Sequence, residues 1–168
     1  MIVNVAEYSS PITVAALELC LRMQRDPRGV DQVNPSEQFH HSLKGKIGEA
    51  AWAKLLELDV ESVLLDDGPG RPDILTEHGW KLDSKATEAH SSYVGVRAEW
   101  LDKHDLEKWV ILGSRVTVET WDAELLGSVS GKRIRHRQVE AAAEGHSASY
   151  VKLPLEVFDR ACIERRAS

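Results

Sequence analysis

The sequence predicts an α/β fold: a central mixed β-sheet of about five strands, flanked by helices. Three observations predict it. Ile12, Ala15, Ala16, Leu19, Cys20 and Met23 recur at helical spacing and make one buried stripe. Lys108 to Leu112 is an almost continuous apolar run, as in a strand covered on both faces. Pro72 to Lys85 alternates with strand periodicity on both sides of a Glu77-His78-Gly79 turn, the pattern of a β-hairpin. At 168 residues the chain forms a single domain over 1–168, long enough to bury a core without staples.

Each element has a local reason. Met1 to Tyr8 is a short apolar lead suited to an edge strand. Ser10-Pro11 opens a helix, serine as N-cap and proline in the first turn, where its missing N–H costs nothing. That helix stops at Asp26-Pro27-Arg28-Gly29, and Val30 to His41 reads as an irregular loop ending in His40-His41, solvated or at a helix start. Leu43 to Leu58 is the next helix, with Gly45, Gly48, Ala50, Ala51 and Ala53 keeping its surface low for close packing. Val63-Leu64-Leu65 reads as a short buried strand, followed by a tight loop from Asp66 to Arg71. After the hairpin come a polar stretch from Ala86 to Ser92, a strand at Tyr93 to Val96 and a short helix from Arg97 to His104. Gly113-Ser114 reads as a turn between the Lys108–Leu112 strand and an alternating partner from Arg115 to Trp121. Tyr150 to Leu153 is a last strand, and Pro154 opens a closing helix that buries Leu155, Phe158 and Cys162.

Composition excludes several classes. No apolar run is long enough to span a membrane, and no charged-then-apolar leader is present. Cys20 and Cys162 lie within helical patterns and make no disulfide framework, so a reducing, cytoplasmic setting is expected. None of the seven histidines is paired at His-x₃-His spacing, which argues against a zinc site. Neither a Gly-x-Ser-x-Gly elbow nor a glycine-rich phosphate loop occurs. The net charge of −6 means that a polyanion must be met by a local basic surface. Lys132, Arg133, Arg135 and Arg137, clustered around His136, are the first candidate for that surface; the alternative is a solvated face balancing Glu140 and Glu144. Arg71 is a second candidate phosphate contact, or a plain loop charge.

The hairpin carries the chemistry. On its return strand Trp80, Leu82 and Ser84 share one face, and Lys81, Asp83 and Lys85 the other. Antiparallel pairing brings Asp73 beside Asp83. Like carboxylates repel and shift each other's pKa, so a fold that gathers them points to a cation, here a divalent metal with a lysine beside it. Upstream, Glu49 sits mid-helix among small residues that let the helix approach the sheet. The alternative is an exposed helix acid pairing with Lys46 or Lys54. Lys44 and Lys46 are expected to face phosphate or water.

Pro72-Asp73, nine residues, then Asp83-Ser84-Lys85, with Glu49 on the preceding helix, resembles the PD-(D/E)XK nuclease superfamily. The resemblance covers about Leu43 to Val118. It implies a restriction-endonuclease-like core over roughly 43–121, completed by a C-terminal strand and helix over 149–166. It further implies Mg²⁺, with Mn²⁺ substituting, held by Asp73, Asp83, the Ser84 backbone carbonyl and Glu49. Glu49, Asp73, Asp83 and Lys85 would be the catalytic residues; Lys85 would orient the attacking water or stabilise the phosphate. Hard oxygen ligands suit those ions better than Zn²⁺. The expected activity is phosphodiester hydrolysis, in DNA and by internal cutting. The alternatives are an RNA-directed nuclease with the same site, or a non-catalytic nucleic-acid-binding or assembly protein that keeps the fold. A homodimer would suit double-strand cutting, and the sequence leaves oligomeric state open.

Overall fold

The computed structural model describes residues 1–25, 34–65, 71–103, 106–143 and 150–167. In chain order they form β1 (Ile2–Asn4), α1 (Ser9–Arg25), α2 (Pro35–Leu55), α3 (Val60–Leu64), β2 (Ile74–Leu75), β3 (Lys81–Glu88), β4 (Tyr93–Arg97), α4 (Ala98–Lys103), β5 (Trp109–Thr117), β6 (Asp122–Ser130), α5 (Gly131–Ala143), β7 (Tyr150–Pro154) and α6 (Ala161–Ala167), with short 3₁₀ turns between some of them. Five strands make one mixed sheet in the order β1-β6-β5-β3-β2, and β4 pairs with β7 in a second, two-stranded sheet. β3 and β5 run parallel; the other pairs are antiparallel. The α/β class with a five-stranded mixed sheet flanked by helices is thus as the sequence predicts. No helix among the described residues is long and apolar enough to cross a membrane.

Strand alternation sorts the sheet into two cores. Leu82 and Ala86 of β3 and Leu112 and Val116 of β5 pack with Ile47, Ala50, Ala51 and Trp52 of α2. Trp109 and Ile111, in register with Lys81 and Asp83, lie instead with Val94, Val96, Val151, Leu153 and Ile134. α2 therefore covers one face of the sheet, and β4, β7 and α5 cover the other. Gly48 sets the spacing of α2: a Cβ there would lie 2.8 Å from Ser114 Oγ and 3.2 Å from Ala86 Cβ. Gly45 has open space around it, so the close approach belongs to Gly48 alone.

Several elements differ from expectation, each for a local reason. Val63-Leu64-Leu65 is not a strand, because Asp59 caps a helix: its Oδ1 accepts from the Glu61 N–H at 3.3 Å, and Val60 and Leu64 become the buried i, i+4 pair. α2 starts at Pro35 rather than near Leu43, since Asn34 Oδ1 accepts from the Ser36 N–H at 3.0 Å and proline takes the first helical position. His40 and His41 are therefore helical, while the turn cluster 26–29 and loop residues 30–33 and 66–70 lie outside the described residues. Gly113-Ser114 is no turn; β5 runs through it with a register shift against β6, and a Cβ at Gly113 would collide with the Phe158 ring. The reversal comes later, at Trp121, left-handed at φ 59°, so Arg115 to Trp121 is not a separate strand and β6 is the partner. β3 continues to Glu88, α1 begins at Ser9 after a 3₁₀ turn, and Pro154 leads into a 3₁₀ turn rather than directly into α6.

Candidate carboxylate–lysine site

The β2–β3 hairpin is held at its turn by three hydrogen bonds. The Thr76 N–H donates to Trp80 O (2.9 Å), the Trp80 N–H to Thr76 Oγ1 (3.0 Å), and the Gly79 N–H to Thr76 O (2.9 Å). Gly79 sits at φ 75°, a conformation that favours glycine. The register Leu75↔Lys81 and Ile74↔Leu82 brings Asp73, just before β2, to the Asp83-Ser84 end of the pairing. There Asp73 Oδ2 accepts from the Ser84 N–H at 2.6 Å.

Asp83 is 4% exposed, and its Oδ2 is ion-paired with Lys85 Nζ. The Lys85 side chain keeps 29% of its surface open, and its ammonium lies 5.7 Å from the Trp100 ring centroid. Trp100 stands edge-on to Trp109 at 4.9 Å, and Lys81 lies over that second ring at 5.4 Å. Glu49 comes from α2 and is buried; Lys46, one turn earlier and also buried, donates to its Oε2 at 2.7 Å.

The pKa directions tie the groups together. Burial pushes the Asp73 carboxyl well above its ordinary value; repulsion from Glu49 and then Asp83 adds to this, against Lys85 and the Ser84 N–H. Burial likewise raises Glu49, with Lys46 the main opposing influence and Asp83 adding to the rise. Burial pulls Lys85 down, but attraction to Asp83, Asp73 and Glu49 outweighs it and the ammonium is held above its usual value. Three carboxylates thus face two ammoniums, Lys46 and Lys85, leaving one excess negative charge that is felt most at Asp73.

Glu49, Asp73, Asp83 and Lys85, from three separate places in the chain, are therefore within one electrostatic cluster. Among the described residues no three His, Cys, Asp or Glu side chains stand in an arrangement that would by itself hold a metal ion. Each carboxylate is engaged instead, Glu49 by Lys46, Asp83 by Lys85 and Asp73 by the Ser84 amide. The donor set is nevertheless all oxygen and carries excess negative charge, which fits a hard divalent cation by chemistry and by charge. Taking one up requires these carboxylates to exchange lysine partners for metal.

Other predicted residues lie elsewhere. Lys44 is buried and ion-paired with Glu88 at the end of β3, not facing solvent, and His40 Nε2 is 3.6 Å from the same carboxylate. Lys54 pairs with Glu7 at 2.7 Å, not with Glu49. Lys132, Arg133, Arg135 and Arg137 lie on α5. Lys132 is 3.5 Å from Glu107, and Arg135 donates to Leu101 O at 2.5 Å with Asp102 3.5 Å away, so these two reach toward α4 and its neighbouring turn. Arg71 is exposed next to Pro72. Lys46, expected to face phosphate or water, is buried and pairs with Glu49 instead, and Trp100 joins the cluster although nothing singled it out. Lys46 had a usable signal, its i, i+3 spacing from Glu49; Trp100 had none, because its contact with Lys85 depends on where α4 lands. No family model matches this sequence, and no curated protein or solved structure matches the chain.

Proposed function

We propose that this chain is a divalent-metal-dependent nuclease of the PD-(D/E)XK kind, hydrolysing phosphodiester bonds by internal cutting of DNA. The observation that carries the reading is the convergence of Asp73, Asp83 and Lys85 on one hairpin, with Glu49 delivered from α2. Structural ion pairs alone are a poor reason to bury three carboxylates, since desolvating them is costly.

Asp73, Asp83 and the Ser84 backbone carbonyl would hold Mg²⁺ or Mn²⁺, with Glu49 completing the set directly or through water. When bound, the ion polarises the phosphoryl oxygen, acidifies its bound water and neutralises charge growing in the transition state. The protein's own residues supply the rest. The neighbouring carboxylates favour the ammonium form of Lys85, which suits it to donate hydrogen bonds to the phosphate or the attacking water. Its partial exposure leaves it reachable from solvent, and the Trp100 ring backs it. Lys46 holds Glu49 in place until Glu49 is recruited.

An RNA-directed nuclease would use the same residues, and a homodimer would suit double-strand cutting. The test is a panel of supercoiled plasmid, branched DNA, single-stranded DNA and RNA, each with Mg²⁺, Mn²⁺ or EDTA. Metal-dependent cutting of DNA, lost in Asp83→Ala and Lys85→Ala, is the expected result. Cutting of RNA alone would move the substrate to RNA. Metal binding and cutting both absent would leave the non-catalytic nucleic-acid-binding reading.

A further inference from the structure

The small β4–β7 sheet presents an unusual solvent face. Its register pairs Tyr93 with Pro154, Gly95 with Lys152 and Arg97 with Tyr150. The intervening residues Val94, Val96, Val151 and Leu153 are buried in the second core, which turns the paired positions outward. Tyr93 and Tyr150 are 38% and 42% exposed. Each ring has a cation beside it: Lys152 Nζ lies 4.8 Å from the Tyr93 centroid, and Arg97 Cζ lies 5.9 Å from that of Tyr150. Gly95, between them, adds no bulk; a Cβ there would already touch Tyr150 at 3.5 Å. The six outward positions thus hold two aromatic rings, two cations and no carboxylate, in a chain whose net charge is −6.

That combination has a chemical partner. Unpaired bases stack on exposed aromatic rings without regard to sequence, and lysine and arginine beside them meet the phosphates. The π-face of each ring is covered by a long cationic side chain of the same sheet and not by the core. When a base takes that place, the flexible lysine or arginine is released toward the backbone. β4 runs directly into α4, whose Trp100 lies against Lys85.

We propose that the solvent face of the β4–β7 sheet binds single-stranded nucleic acid, with Tyr93 and Tyr150, at opposite ends of the ladder, each stacking a base and Arg97 and Lys152 contacting phosphates of the same strand. This deepens the nuclease reading by naming the form of its substrate, an unpaired strand, and rests on that reading for the purpose the grip serves. Cross-strand cation–ring pairs also steady a two-stranded sheet, so the test must separate stability from binding.

The test is fluorescence anisotropy with labelled oligodeoxythymidine, about 15 nucleotides long, in EDTA so that no cutting occurs. Tyr93→Ala and Tyr150→Ala should each weaken binding about tenfold, while Tyr93→Phe and Tyr150→Phe bind within about twofold of wild type because the ring remains. Arg97→Ala and Lys152→Ala should weaken binding and flatten its salt dependence. Thermal melting accompanies each variant; if alanine melts early, Tyr→Leu, which keeps bulk without the ring, carries the same expectation. Well-folded ring-less variants that bind normally, or a wild type that ignores single strands, would overturn the proposal. Tyrosine-dependent binding without any nuclease activity would sink the catalytic reading and leave this one standing. Metal-dependent cutting with no dependence of binding on the tyrosines would do the reverse.

Discussion

The Asp73 carboxylate accepts a 2.6 Å hydrogen bond from the Ser84 amide, joining the start of the hairpin to the residue between Asp83 and Lys85. One bond therefore sets the position of the acid that carries most of the cluster's electrostatic strain. Burial and two neighbouring carboxylates raise its pKa, and one amide and one lysine oppose them only in part.

That balance makes a prediction about stability. Asp73 and Glu49 are raised in the folded protein, so between the ordinary carboxylate range and their raised values the native state binds more protons than the unfolded one. Metal-free protein should gain stability as pH falls through those raised values, until the unfolded chain is protonated as well. Asp73→Asn keeps an oxygen for the Ser84 amide and removes the charge. It should raise the metal-free melting temperature by about 2–4 °C, the equivalent of 1 kcal/mol in a chain of this size, and abolish stabilisation by Mg²⁺. Melting curves against pH and Mg²⁺ measure both, and a drop in Tm on substitution would contradict the argument.

Glu88 behaves in the opposite sense. Its hydrogen bond and ion pair with Lys44 depress its pKa, so its contribution is present above the ordinary glutamate range and is lost as pH falls through the depressed value. Glu88→Gln should flatten the acid limb of the stability profile and leave neutral cutting largely intact, a pairing of results that acid titration and a nicking assay together check.

The glycines of α2 should separate cleanly. Gly48→Ala places a methyl against Ser114 Oγ and Ala86, and should cost about 1–3 kcal/mol by overpacking. Gly45→Ala meets open space and should stabilise by about 0.5–1 kcal/mol through helix propensity. Urea unfolding measures both, and equal effects would mean that α2 does not lie on the sheet as described.

Lys46 and Glu49 form a buried pair, and breaking it from either side leaves a buried charge or a new proton uptake. Lys46→Met should destabilise metal-free protein by about 3–5 kcal/mol at most. The double variant Lys46→Met with Glu49→Gln should recover much of that loss, and a double-mutant cycle reports the coupling.

The hairpin was legible because its information is local. Alternation from Trp80 to Lys85 and the turn at Glu77-His78-Gly79 set the faces, and the faces set Asp73 beside Asp83 and Ser84. Glu49 was readable from its small neighbours, although only Gly48 among the helix's glycines makes the close contact. What escaped was decided at a distance or by one polar atom. Three apolar residues at Val63–Leu65 look alike in strand and helix until the Asp59 cap is counted. Gly113 reads as a turn unless Phe158, far along the chain, is known to need its space. The separation of β4 and β7 into their own sheet depends on long-range pairing that no local pattern announces, and Tyr93 and Tyr150 were hidden for that reason.

The measurement that tests the central claim most directly is nicking of supercoiled plasmid by wild type and Lys85→Met side by side, with Mg²⁺ and with EDTA. Wild type should nick only with Mg²⁺, and Lys85→Met, which leaves the carboxylates in place, should lose at least about 100-fold in rate, as removal of one charge-stabilising donor does. Nicking by Lys85→Met at the wild-type rate, or nicking that survives EDTA, would contradict the account.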